Sequence, residues 1–188
     1  MSLSDRVEVS DGLSHHAEKG PVLSASRSHE TNGASQSVNV LYIAGYGRSG
    51  STLLDRLLGS TSRLHSGGEI GGVWHQGLIN DRLCSCGVRF SVCPFWQKVG
   101  SDSFSSLQAH EVDAIVRYLS SIFPARRMWR ILMSRTRRRL LASVPADFWD
   151  VTGRLYPAIR DLSGRQAVVD SSKLVTYLVM LAHVPSVK

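Results

Sequence analysis

Apolar residues repeat along this chain with two different periods, and each period predicts an element. Val38-Asn-Val-Leu-Tyr-Ile-Ala44 is short, apolar and rich in β-branched residues, the pattern of a buried strand. Leu53, Leu54, Leu57 and Leu58 then fall on one helical face, and Gly59-Ser60 weakens that helix near its end. Val112, Ile115, Val116, Leu119, Ile122 and Phe123 repeat at helical spacing, and Pro124 stops or restarts the helix. A further helical stretch runs from about Arg126 to Ala142. Another spans Ala146 to Leu162, where Pro157 is expected to break or kink it. Gln166-Ala-Val-Val-Asp170 reads as a second buried strand after the turn at Ser163-Gly164, and Leu174, Tyr177, Leu178 and Leu181 predict a final helix closed by Pro185. This order predicts an α/β fold with a parallel sheet flanked by helices. Ser186-Val187-Lys188 reads as the start of another strand, so the chain is expected to stop within its fold.

Residues 1–37 follow no apolar period and are dominated by Ser, His, Gly and charged side chains, which predicts a disordered tail. The remaining residues, 38–188, are expected to form one nucleotide-binding domain. No window has the roughly 18 uncharged apolar residues that a membrane helix requires. Asp5, Arg6, Glu8 and Asp11 stand where a signal peptide would be apolar, so a cytoplasmic location is expected.

The formal net charge of +7 raises the local concentration of anionic ligands without choosing among them. Arg126, Arg127, Arg130, Arg135, Arg137, Arg138 and Arg139 concentrate that charge on one predicted helix. Such a helix attracts an acidic acceptor, a glycan or a peptide, or simply presents a solvated face; the second reading is preferred, and no nucleic-acid partner is expected. Cys84, Cys86 and Cys93 are odd in number and crowded into ten residues, unlike a secreted disulfide framework. With His75 the nearest candidate fourth ligand, they fall short of a four-ligand zinc site, and no metal is expected.

Between the first strand and helix lies Gly45-Tyr-Gly-Arg-Ser-Gly50-Ser51-Thr52. The spacing is that of a phosphate-binding loop, with Ser51 in place of the usual lysine. Successive backbone N–H groups and the helix N-terminus favour a phosphate there. Arg48 can supply the missing cation and pair two phosphate oxygens, while Ser49, Ser51 and Thr52 add hydroxyl donors. Without the lysine that spans the β- and γ-phosphates, nucleoside triphosphate hydrolysis is disfavoured.

At Gly47-Arg-Ser-Gly-Ser-Thr-Leu-Leu the chain resembles the sulfotransferases that use 3′-phosphoadenosine 5′-phosphosulfate (PAPS), in the branch with tyrosylprotein, carbohydrate and bacterial members. The resemblance implies a P-loop-like three-layer fold. It also implies a 5′-phosphosulfate grip formed by Gly47, Arg48, Ser49, Gly50, Ser51 and Thr52. Ser66-Gly-Gly-Glu-Ile resembles the segment carrying the acceptor-activating glutamate, which gives that role to Glu69. Val169-Asp-Ser-Ser-Lys173 resembles the segment whose lysine approaches the transferred group, which implicates Lys173 beside Arg48. Cys-Ser-Cys-Gly and Cys93-Pro-Phe-Trp are similar to a feature of bacterial members. The family's segment for the donor's 3′-phosphate, an Arg-Asp-x-Arg strand end, has no counterpart before Lys188.

The implied reaction moves a sulfuryl group from PAPS to an acceptor hydroxyl on a glycan, peptide or small molecule, and requires no metal. His65 is the rival base. Asp170, after Ala-Val-Val, is placed like the metal-holding aspartate of a nucleotide hydrolase, so a Mg²⁺-dependent kinase or hydrolase is the second reading. A truncated nucleotide-binding fragment without activity is the third. Ser171 and Ser172 are expected to cap the helix that Lys173 begins.

Overall fold

The computed structural model describes residues 37–122 and 134–188. The expected tail and the first part of the arginine-rich helix therefore lie outside the described residues. Three parallel strands form the sheet: β1 (Asn39–Ala44), β2 (Leu64–Ser66) and β3 (Ala167–Lys173), in the order β1-β3-β2. β3 is central. Val168 is level with Val40 on one side and with His65 on the other. The chain's last residues join the other edge of β1, where Val38 N–H donates to the Ser186 carbonyl at 2.8 Å and Lys188 N–H to that of Val38 at 2.9 Å.

Helices flank this sheet, as the alternation of patterns predicts. They are α1 (Ser51–Gly59), α2 (Pro94–Ser103), α3 (Ala109–Ile122), α4 (Ser134–Ala142), α5 (Ala146–Ser163) and α6 (Val175–Leu181). Val73–Ile79 forms a π-helical segment, a geometry that recurs at functional sites. α5 runs along β3 and α2. It brings Phe148, Val151, Leu155, Tyr156 and Ile159 into a core with Trp74, Ile115, Val168 and Tyr177. Aromatic rings meet within that largely aliphatic core, with Phe148 5.6 Å from Trp74 and 6.1 Å from Tyr177 between centroids. No helix among the described residues is long and apolar enough to cross a membrane.

Three expectations are corrected, and the leucine face of α1 is placed. First, β3 does not end at Asp170. It continues through Ser171 and Ser172 to Lys173, and α6 begins only at Val175. The serines therefore extend the strand instead of capping a helix, because Asp170 and Gly71 bond Ser172 within it. Second, β1 is only half-buried, and β3 is the buried strand. The α1 leucines do not enter the core. Leu53 is 64% exposed and Leu57 59%, while Ser51 and Asp55 are that helix's buried residues.

Third, Pro157 does not interrupt α5. Proline lacks the N–H that would bond the carbonyl four residues earlier, and its ring crowds that carbonyl. Here that residue is Gly153, and the Ser186 hydroxyl donates to its freed oxygen at 2.7 Å. The helix thus continues unbroken past Pro157, and ends where expected at Gly164, whose φ of 64° suits a glycine cap.

Candidate functional site

The glycine-rich turn joins β1 to α1 at the end of the sheet where the parallel strands finish, the usual ligand side of an open α/β sheet. Two of its residues take left-handed backbone conformations, Arg48 at φ 64° and Gly50 at φ 74°. Glycine adopts this region freely, whereas for arginine it costs on the order of 1 kcal/mol. α1 starts without a side-chain cap and without an acidic residue in its first turn. Its leading N–H groups are thereby left for an outside acceptor, and the helix dipole favours an anionic one. Arg48, Ser49 and Thr52 are exposed around it, and Ser51 is buried.

A backbone hydrogen bond ties this loop to β3, from Gly45 N–H to the Lys173 carbonyl at 3.1 Å. Lys173 ends the strand at φ 67°, the second strained non-glycine residue here. Its ammonium donates to Glu69, forming an ion pair between residues 104 positions apart. Glu69 arrives by a different route. After β2 the chain turns through Gly67 and Gly68, fastened to β3 by Gly67 N–H to the Val169 carbonyl (2.9 Å) and Ser171 N–H to the Gly68 carbonyl (2.8 Å). Gly67 is required, because a Cβ there would lie 2.7 Å from the Val169 oxygen. Glu69 follows three residues after β2 rather than ending it, at the start of a 3₁₀ turn over Ile70–Gly72. The structure thus brings Glu69, Lys173 and the loop's first residue to one place.

Asp170 does not share that place. Its carboxylate is fully buried and accepts from Tyr156 Oη at 2.5 Å, Ser172 N–H at 2.8 Å and the Ser172 hydroxyl. Burial pushes its pKa up to about 6 against these hydrogen bonds, and Tyr156 is raised well above its ordinary value by burial and by Asp170. Both carboxylate oxygens are occupied by protein donors. His65 lies on β2, stacked on Phe95 at 5.3 Å, and burial holds it below its ordinary value despite the opposing pull of Asp55. That surrounding marks it as a packed side chain.

A cleft of about 510 Å³ opens beside Glu69. Thr52, His65, Gln76, Phe90, Phe95 and Trp96 line it, giving an aromatic wall facing a polar one. A smaller cleft of about 240 Å³ lies across the Glu69–Gly72 segment, against Trp74, His75 and Leu174. Asp55, absent from the sequence-based candidates, also lines the large cleft. One of its oxygens accepts the Ser66 hydroxyl and the other, Oδ1, has no hydrogen-bond partner among the described residues. Its only sequence signal is an acidic residue interrupting a leucine run one helical turn after Ser51. Arg135, Arg137, Arg138 and Arg139 are exposed on α4, and Arg126, Arg127 and Arg130 lie outside the described residues.

No protein-family model matches this chain, and no curated protein or solved structure matches it significantly.

Proposed function

We propose that the chain is a sulfotransferase domain, moving the sulfuryl group of PAPS to an acceptor hydroxyl. One observation carries this reading: Lys173 and Glu69, 104 residues apart, form an ion pair, and the Lys173 carbonyl holds the first residue of a glycine-rich loop in which Ser51 takes the lysine position and Arg48 can supply the cation. In this reading Gly47 to Thr52 hold the 5′-phosphosulfate with N–H groups, hydroxyls and the Arg48 guanidinium.

The acceptor oxygen forms its bond to sulfur as the bond from sulfur to the bridging oxygen of the 5′-phosphate breaks. Glu69 takes the hydroxyl proton, and the nucleotide leaves carrying the electron pair of the broken bond. Lys173 and Arg48 offset negative charge on the sulfuryl and bridging oxygens, so catalysis rests on placement and fixed charge. An acceptor in the large cleft reaches Glu69 from the aromatic wall side, which suits a ring-bearing alcohol or phenol, a peptide tyrosine included. The alternative magnesium-dependent reading needs an open carboxylate, and Asp170 spends both oxygens on Tyr156 and Ser172.

Calorimetric titration with 3′-phosphoadenosine 5′-phosphate, beside ADP with Mg²⁺, tests the assignment. Preference for the bisphosphate, lost in Arg48→Ala, is expected. Preference for ADP with Mg²⁺ transfers the assignment to the kinase or hydrolase class.

A further inference from the structure

The three cysteines reach one point by separate routes. Cys84 and Cys86 sit on a tight hairpin, closed by Cys84 N–H to the Val88 carbonyl (2.7 Å) and Gly87 N–H to the Cys84 carbonyl (2.9 Å). Gly87 takes a φ of 88°, which a side chain resists, so the Cys-x-Cys-Gly order is what the turn demands. Asp81 braces the base of the hairpin, accepting Ser91 N–H at 2.8 Å and facing Arg89 at 3.8 Å. Cys93 comes from the other direction, at the N-cap of α2 just before Pro94. Neither position is where a loop free of constraint would put three thiols.

All three Sγ atoms lie within 4.8 Å of one another, and Cys86 and Cys93 are 3.5 Å apart. Tetrahedral zinc with sulfur at about 2.3 Å sets its ligands roughly 3.8 Å apart, so small side-chain shifts suffice. Burial grades from Cys93, enclosed, through Cys84 to Cys86, exposed, so a cation can enter from solvent at Cys86. The group also lines the large cleft.

We propose that Cys84, Cys86 and Cys93 bind one zinc ion as thiolates, with the fourth position open to the cleft and taken by water. Thiolates are the ligands that favour zinc over hard divalent cations such as magnesium. Three thiolate charges outweigh the +2 of the ion, leaving the site at −1. Such a site holds a water without acidifying it strongly, so its role is to clamp the hairpin to α2 and fix the aromatic wall of the cleft. The spacing of the cysteines did not announce this, because three ligands in sequence look one short. The hairpin supplies what spacing lacks, a common focus for the thiols.

The test uses the full chain without a histidine tag, purified under reducing conditions, with metal content measured by mass spectrometry. About one zinc per chain is expected, and replacement by cobalt(II) gives thiolate-to-metal charge-transfer absorption with the visible bands of a tetrahedral site. Cys86→Ser, exposed and therefore the variant that keeps the fold by circular dichroism, lowers metal affinity by at least about tenfold. Reduced wild-type protein that takes up neither zinc nor cobalt overturns the proposal. So does a Cys86→Ser variant with unchanged affinity and spectrum. Recovery of a Cys86–Cys93 disulfide from zinc-supplied cells also overturns it, in favour of a redox pair.

Discussion

Two sides of the central strand β3 contrast. Toward α5, Asp170 and Ser172 meet Tyr156 and Gly71, every carboxylate oxygen is bonded, and Trp74, Phe148 and Tyr177 seal the surroundings. At its end, Lys173 pairs with Glu69 and bonds the first residue of the glycine loop through its carbonyl, Arg48 is exposed and strained, and Leu53, Leu54 and Leu57 of α1 are exposed. Polar residues alternating along one strand thus serve different ends. Those turned to the core are bonded to protein partners and hold the fold together; at the tip, Lys173 reaches a partner on another segment, nearer solvent.

The sharpest way to break this contrast is Asp170→Ala. It leaves Tyr156 Oη and both Ser172 donors without their acceptor, and a loss of about 3–5 kcal/mol in unfolding free energy is expected from urea denaturation. A stable variant with lost nucleotide binding would move Asp170 from the fold to the site. Glu69→Gln acts on the other side. On the proposed sulfotransferase reading it should slow sulfuryl transfer about 100-fold, or about 2.7 kcal/mol, while leaving nucleotide binding and stability near wild type. Equal loss in binding and turnover would instead make Glu69 a donor-binding group.

Acidity distinguishes the two sides as well. The pKa of Asp170 is about 6 when folded, above its ordinary 3.8, so the folded chain binds the extra proton between those values. Its contribution to stability is therefore fully present below pH 4 and is lost as pH rises through 6, by roughly 3 kcal/mol. Asp170→Asn should remove that slope from a series of denaturation curves; an unchanged slope would assign it to other groups. The smallest effect is expected at α1, where Leu57→Ser should alter the melting free energy by less than about 0.5 kcal/mol. A larger loss would mean that this exposed face is covered in solution.

Much of this arrangement was legible beforehand, for reasons the contrast explains. β1, its glycine turn and α1 declared themselves because backbone demands select glycine and periodic apolar residues together. α3 and α5 were legible from spacing alone. Reading failed where burial is bought with hydrogen bonds instead of apolar surface. Ser171 and Ser172 look like a helix cap in sequence, yet they extend β3 because Asp170 and the Gly71 N–H engage Ser172. Asp55 failed for the same reason, and the leucine stripe of α1 for the converse one, since periodicity reports a face without saying what covers it. The pairing of Glu69 with Lys173 depends on which strands become neighbours, a long-range fact that local pattern does not hold.

The bond between Ser186 and Gly153 makes the middle turn of α5 depend on a distant segment. Its partners are 33 residues apart, so the carbonyl that Pro157 frees is satisfied from outside the helix. The same segment pairs with Val38 at the edge of β1, so one stretch of chain serves both the helix and the sheet.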